Sequence, residues 1–194
     1  MSLSKTSTNT GLPSGIDLDL TKATNDFHFD WTFIEQHFSQ SPSQPMRIAI
    51  ASDHRGVHIK AKLVQLLSAA GHQVEDQGTH GDQSVDYPDY AAAVSQAVAG
   101  GAADRGILIC GTGIGMAIAA NKFPGVRAAT CYDEVMAEIC RRHNDVNVLC
   151  LPGDLFGDRP VADLVRVWLQ TEFESGRHLR RIEKIKTLET KTND

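Results

Sequence analysis

From Met46 onward, short apolar segments alternate with longer segments of helical periodicity, and this alternation leaves few folds open to the chain. The apolar segments are branched and short, as is typical of strands buried in a parallel sheet. Between them, apolar residues recur at helical spacing, and glycines such as Gly71 then end the helix. The predicted strands are 47–51, 73–76, 106–110, 127–131 and 146–151, and the predicted helices are 59–70, 90–99, 116–121, 133–142 and 162–173.

This order predicts an α/β fold, a Rossmann-like three-layer sandwich with a five-stranded parallel sheet and helices on both faces. In open sheets of this kind, ligands bind beyond the carboxyl ends of the strands. Polar residues gather beside the predicted strands in the segments 52–56, 110–112 and 143–145, the last of which comes just before a strand. We expect the three segments to contribute to one site.

The composition of the chain changes near Pro45. Residues 1–45 are rich in Ser, Thr, Asn, Gln and Pro, apart from one apolar island at 27–38. We predict that they form a flexible or peripheral N-terminal extension, in which the island is compatible with a short amphipathic helix that docks elsewhere. Residues 46–194 are predicted to form one domain with a C-terminal helical tail.

Composition also limits the classes of partner. A formal net charge of −5 argues against a nucleic-acid surface spread over the chain, so any anion site is local. The four cysteines form no C-x-x-C pair, and Cys140-x-x-His143 lacks the second pair that a zinc site needs, so we predict reduced thiols and no metal. No apolar run approaches about 18 residues and no signal peptide is recognisable, which predicts a soluble, cytoplasmic protein without a membrane partner.

A thiol stands where the third predicted strand meets a glycine-rich turn. Cys110 is followed by Gly111-Thr112-Gly113-Ile114-Gly115 and then by a helical segment. Glycines let such a turn point its N–H groups at an anion, and the same field favours a thiolate over a thiol. A base beside an oxyanion cradle is what proton abstraction next to a carbonyl requires.

Local sequence leaves other interpretations of these residues open. A cysteine at a strand end is more often a small core residue, and the turn could open a dinucleotide site with Asp133 on the ribose, although Met116 occupies the place of the third glycine in G-x-G-x-x-G. Asp53 could cap a helix, His54 and His143 could be surface histidines, and Asn144 could form a turn. Arg177 and Arg181 are four residues apart, so on a helix they share a face that can grip one phosphate, or they belong to an ordinary basic tail.

Six segments taken together resemble ribose-5-phosphate isomerase type B, a family that includes the paired subunits of galactose-6-phosphate isomerase. The resemblance keeps order and spacing from about Met46 to about Ile185. The matching segments are Asp53-His54-x-Gly56, Asp86-Tyr87-Pro88, Ile109-Cys110-Gly111-Thr112-Gly113-Ile114-Gly115, Ala119-Ala120-Asn121-Lys122, His143-Asn144-Asp145-x-Asn147-Val148 and Gly176-Arg177-His178-x-x-Arg181.

The resemblance implies an aldose-ketose isomerase that interconverts ribose 5-phosphate and ribulose 5-phosphate through a cis-enediolate, without metal or organic cofactor. It further implies a homodimer or a dimer of dimers with the site at the subunit interface, and a phosphorylated sugar as the small-molecule partner. In this resemblance, Cys110 matches the base that moves a proton between C2 and C1, and Thr112 matches the hydroxyl near that thiol. The amides that hold the enediolate oxygen correspond to Gly111, Gly113, Ile114 and Gly115. His143 matches the group that opens the furanose ring, Asp53 matches a contact to the sugar hydroxyls, and Tyr87 and Asn144 match other substrate contacts. The phosphate ligands correspond to His54, Arg177 and Arg181, with both arginines coming from the partner subunit.

One position departs from the family pattern. Many members carry another phosphate-binding arginine eleven residues after the ring-opening histidine, and here that position is Asp154. An acid there repels a phosphate unless it is turned away or paired, and Arg55 and Arg159 are candidate substitutes. Two alternatives therefore stay open: an isomerase of a six-carbon sugar phosphate, such as allose or galactose 6-phosphate, and a non-catalytic sugar-phosphate-binding protein.

Overall fold

A computed structural model describes residues 44–156 and 161–191 of the chain. The predicted extension up to residue 43 and the candidate Arg159 lie outside these ranges. The described strands are β1 (Arg47–Ser52), β2 (Gln73–Asp76), β3 (Arg105–Cys110), β4 (Ala128–Thr130) and β5 (Val148–Pro152); the described helices are α1 (Val57–Ala69), α2 (Tyr87–Ala99), α3 (Ile114–Ala120), α4 (Glu134–Asn144), α5 (Val161–Gln170) and α6 (Arg177–Lys191).

The strands form one parallel sheet in the order β2-β1-β3-β5-β4, which confirms the predicted α/β fold. In the register of the central strand β3 with its neighbour β5, Gly106 pairs with Val148 and Cys110 pairs with Pro152. β5 begins two residues later than predicted. The carbonyl of Val146, which precedes it, instead accepts a hydrogen bond of 2.8 Å from the Arg141 side chain.

Helices cover both faces of the sheet. On one face, α1, α4 and α5 pack on the alternating branched residues of the strands, such as Ile48 and Ile50, and the fully buried Trp168 lies in this layer. On the other face, α2 and α3 pack on small residues such as Ala49 and Ala51. The alternation of large and small side chains along one strand therefore sets different depths for the two helical layers.

The second helix starts three residues earlier than its periodicity predicts, at Tyr87. Pro88 is tolerated there because the N–H groups in the first turn of a helix have no intrahelical acceptor, so the N–H that proline lacks costs no hydrogen bond. Among the described residues, no helix combines the length and the hydropathy that crossing a membrane requires.

The parallel arrangement separates the loops into two groups. Residues that follow β1, β3 and β5 lie at the carboxyl edge of the sheet, whereas residues that lead into these strands lie at the amino edge. Helices run antiparallel to the strands they connect, so α4 ends at the amino edge, just before β5. The interior strands β1, β3 and β5 are five to six residues long and span roughly 16–20 Å.

Candidate active site

Cys110 is the last residue of β3, and its side chain is 5% exposed. The thiol belongs to the apolar layer under α2 and α3, so the interpretation as a core residue describes its packing correctly. One polar contact sets it apart, because the N–H of Gly113 donates to its Sγ at 3.2 Å. An amide donor at this distance stabilises negative charge on sulfur.

The turn after Cys110 is held in a conformation that requires glycine at its centre. Gly113 has a φ of +74°, and a Cβ built there would lie 2.8 Å from Cγ2 of Thr130. Thr130 in turn donates from Oγ1 to the carbonyl of Gly113 at 3.2 Å. Helix geometry leaves the amides of Gly115 and Met116, in the first turn of α3, without an intrahelical acceptor.

Thr112 and Ile114 form the exposed side of this turn. The hydroxyl oxygen of Thr112 accepts a hydrogen bond of 3.4 Å from the N–H of Ile114. The Ile114 side chain is half exposed. A ligand that approaches the amides of the turn therefore meets a hydroxyl and an apolar side chain.

The loop after β1 lies beside the turn, since the N–H of Asp53 donates to the carbonyl of Ile109 at 3.0 Å. Asp53 is almost fully buried, and its carboxylate accepts from the N–H of Arg55 at 2.8 Å. It does not cap α1, whose N-cap residue is Gly56. The Nδ1 atom of His54 accepts from the N–H of Val85 at 3.4 Å, so the neutral imidazole carries its proton on Nε2 and offers that N–H as a donor.

Tyr87 completes this group from the start of α2. A Cβ built on Gly115 would lie 2.7 Å from Cζ and 3.0 Å from Oη of Tyr87, so glycine at this position lets the phenol rest on the turn. The structure thus brings together nine of the predicted site residues at the carboxyl edge. We call this group the carboxyl-edge site: Asp53, His54, Tyr87, Cys110, Gly111, Thr112, Gly113, Ile114 and Gly115.

Asp154 follows β5 and reaches the same place. Its N–H donates to the carbonyl of Gly111 at 3.0 Å, and a Cβ built on Gly111 would lie 2.8 Å from its Oδ2 atom. Arg55 neutralises this carboxylate: its Nε and Nη2 lie 2.9 and 2.8 Å from Oδ2. The acid that departs from the family pattern is therefore paired.

A second polar group lies at the amino edge. The imidazoles of His143, near the end of α4, and His178, in α6, stack in parallel with their centroids 4.2 Å apart. The Oε2 atom of Glu174 is 3.6 Å from the Nε2 atom of each ring. We call His143, Glu174, Arg177, His178 and Arg181 the amino-edge cluster; Glu174 and His178 were given no role from the sequence, and only their spacing of four residues hinted at a contact.

Charges in the amino-edge cluster favour an anion over a cation. Arg142 hydrogen-bonds the Glu174 carboxylate and lowers the pKa of Glu174. Burial, reinforced by His143 and by Arg177 and Arg181, lowers the pKa of His178. The side chains of His143, Glu174 and His178 have ligand atoms close enough to one metal ion, but Arg142 already binds Glu174, and the Nε of Arg177 donates to the Nε2 of His178 at 3.3 Å. The cluster fits a phosphate better than a divalent metal.

The two groups lie at opposite edges of the sheet. His143 and Asn144 end α4 and precede β5, whereas Cys110 ends β3, so the length of a strand, roughly 16–20 Å, separates them within one chain. Asn144 is exposed there, and its carbonyl accepts from the Nε of Arg127 at 3.1 Å. The expectation that segment 143–145 joins the segments 52–56 and 110–112 within one chain is not met, because a helix that returns antiparallel to the sheet ends at the other edge.

Comparison with known proteins gives consistent matches. A family model described as Ribose/Galactose Isomerase matches residues 48–185. Ribose-5-phosphate isomerase B of Escherichia coli is 44% identical over 147 residues, which cover 76% of this chain and 99% of that protein. The putative sugar phosphate isomerase YwlF of Bacillus subtilis is 47% identical over 75% of this chain and 99% of its own length.

Solved structures agree with these matches. Ribose-5-phosphate isomerase B of Clostridium thermocellum superposes with a TM-score of 0.74 at 48% identity, covering 76% of this chain and 99% of that one. The structure of ribose-5-phosphate isomerase B from Mycoplasma genitalium with bound ribulose-5-phosphate has a TM-score of 0.72 at 42% identity, covering 74% and 96% of the two chains.

Proposed function

The chain belongs to the ribose/galactose isomerase family, and from this we propose that it interconverts ribose 5-phosphate and ribulose 5-phosphate, with Cys110 as the base. The observation that carries the proposal is the Cys110 thiol, which receives an amide hydrogen bond from Gly113 and borders a turn with further amide donors. The relatives named as ribose-5-phosphate isomerase B support the substrate.

The proposed chemistry is a proton transfer between neighbouring carbons. The Cys110 thiolate removes the proton from C2 of the open-chain aldose, the C–H electron pair becomes the C1–C2 double bond, and the aldehyde oxygen receives negative charge. The amides of Gly111 to Gly115 stabilise that oxygen. The proton of the C2 hydroxyl then passes to the C1 oxygen, and the thiol returns its proton to C1 while the C2–O bond becomes the carbonyl, which gives the ketose and regenerates the thiolate.

We propose that the site is completed by a second copy of the chain. His143, Asn144, Arg177 and Arg181 lie a strand length away from Cys110 in one chain, so the amino-edge cluster of one subunit must face the carboxyl-edge site of another. The exposed apolar side chains on α3 and α6 support such an interface: Ile114, Ile118, Leu179 and Ile185.

The partner's amino-edge cluster then supplies two functions. His143 delivers the proton that the ring oxygen needs when the furanose opens, and the nearby Glu174 carboxylate together with the stacked His178 orients its imidazole. Arg177 and Arg181, four residues apart on α6, share a face and bind the phosphate, and His54 contributes from the first subunit.

Turnover of ribose 5-phosphate by the wild type, Cys110→Ala and Cys150→Ala tests this proposal. Cys150 is a matched control, because it is fully buried on the neighbouring strand and burial raises the pKa of its thiol. We expect the wild type and Cys150→Ala to be active, and Cys110→Ala to lose about 100-fold to 10,000-fold in kcat. Full activity of folded Cys110→Ala would remove Cys110 as the base, and turnover of allose or galactose 6-phosphate in preference to ribose 5-phosphate would change the substrate.

A further inference from the structure

An ion pair bridges the three loops that form the carboxyl-edge site. Arg55 follows β1, Asp154 follows β5, and both lie against Gly111, which follows β3. The Oδ2 atom of Asp154 and the Cγ atom of Arg55 would be 2.8 and 4.0 Å from a Cβ on Gly111. The Arg55–Asp154 pair therefore lies beside Gly111, the first residue of the turn that faces the substrate in the proposed reaction.

An unpaired carboxylate at this place would work against the proposed reaction. The turn presents amide donors to an anion, and a negative charge beside it competes for those donors and repels the substrate phosphate. Arg55 removes that charge through Nε and Nη2, which both contact the Asp154 carboxylate. Arg55 thus at a minimum neutralises the carboxylate of Asp154.

One edge of the guanidinium is left over. Among the residues that the structure describes, no acceptor binds Nη1 of Arg55, and the Arg55 side chain is 55% exposed. Its neighbours in sequence, Asp53 and His54, both belong to the carboxyl-edge site. A guanidinium that a carboxylate already holds on one side loses little further conformational entropy when its other side binds an oxygen anion.

We propose that Arg55 binds the sugar phosphate directly from Nη1 and that Asp154 orients it for this contact. The proposal rests on the proposed function and adds to it a ligand on the subunit that carries Cys110. A different role for the same pair is a strap that merely ties the three loops together, which would influence folding rather than substrate affinity.

Steady-state kinetics with ribose 5-phosphate separates these roles through Arg55→Gln, Asp154→Asn and the double variant. We expect KM to rise about 100-fold in Arg55→Gln, which loses the contact and exposes the carboxylate, and about 10-fold in the double variant, which loses only the contact. In Asp154→Asn, KM should stay within about 3-fold of the wild type, because the amide oxygen of asparagine still accepts from Arg55 and holds it in place, and kcat should change little in all three variants. A matched control is Arg47→Gln, because Arg47 and Asp104 form a similarly exposed pair outside the site, at 2.6 Å.

Other patterns overturn the proposal. A double variant with wild-type KM would mean that Arg55 only neutralises Asp154. Equal loss in all three variants, together with a lower Tm, would mean a strap. If the wild type turns over ribose 5-phosphate and Arg55→Gln matches it, this inference alone fails; if the wild type turns over none of the sugar phosphates, the proposed function fails and the inference fails with it.

Discussion

Replacing Gly113 with alanine changes the turn beside Cys110 in two ways that can be separated. The first is conformational, since the residue has a φ of +74°, which costs an L side chain about 1–2 kcal/mol. The second is steric, since the new Cβ would lie 2.8 Å from Cγ2 of Thr130 and 3.1 Å from the carbonyl carbon of Leu151. The Leu151 atoms in question belong to the main chain of the interior strand β5 and give way poorly, so this overpacking adds about 1–3 kcal/mol.

The free energy of unfolding of Gly113→Ala should therefore fall by about 2–5 kcal/mol. Gly71→Ala is the matched control, because Gly71 has a φ of +89° and no atom within 4 Å of the added Cβ, so only the conformational cost of about 1–2 kcal/mol applies. Urea unfolding at one fixed protein concentration, followed by tryptophan fluorescence, to which the buried Trp168 contributes, measures both variants. Equal losses in the two variants would refute the account of a turn clamped between β4 and β5. The activity of Gly113→Ala should also fall, with a larger change in kcat than in KM, because the amide of residue 113 donates to Cys110.

Three further predictions concern other parts of the molecule. In D₂O, Cys110→Ala should stop exchange of the C1 hydrogen of ribulose 5-phosphate, whereas His143→Ala should retain exchange and lose conversion of the furanose, because exchange needs no ring opening; loss of exchange in both variants would argue against the ring-opening role. Arg177→Ala should raise KM for ribose 5-phosphate about 10-fold to 100-fold with little change in kcat, and Arg180→Ala, which removes a neighbouring charge from α6, should not; equal effects would indicate a merely basic tail. Burial lowers the pKa of His72 below its unfolded value of about 6.5, so the unfolded state takes up the proton first as the pH drops. The free energy of unfolding should therefore decrease below about pH 6.5, and in His72→Gln this part of the decrease should vanish. An unchanged pH profile of stability in that variant would contradict the prediction.

The sheet could be predicted from the sequence because buried parallel strands leave a local signal. Each predicted strand begins and ends within two residues of its observed position, since an apolar run between turn residues marks both limits. The residues around Cys110 could be grouped for the same reason. Asp53 and Cys110 each adjoin the end of a strand, and strand ends of a parallel sheet meet at one edge.

Contacts between distant segments left no such signal. Arg55 and Asp154 are 99 residues apart, so their pairing depends on the fold of three loops at once. The stacking of His143 on His178 depends on how α6 returns to α4, which helical periodicity does not specify. The position of His143 before β5 places it at the amino edge, whereas its residue type alone does not distinguish the two edges.

The central claim is that each active site combines Cys110 of one subunit with His143 of another. Mixing Cys110→Ala with His143→Ala, after mild unfolding and refolding to exchange subunits, tests it most directly. Each variant alone should be nearly inactive on ribose 5-phosphate. In a random mixture, half of the dimers combine the two variants and hold one intact site of two, so about a quarter of the wild-type activity should return. A mixture as inactive as its components, with subunit exchange confirmed by differently tagged copies, would contradict the claim and place both residues in the site of a single chain.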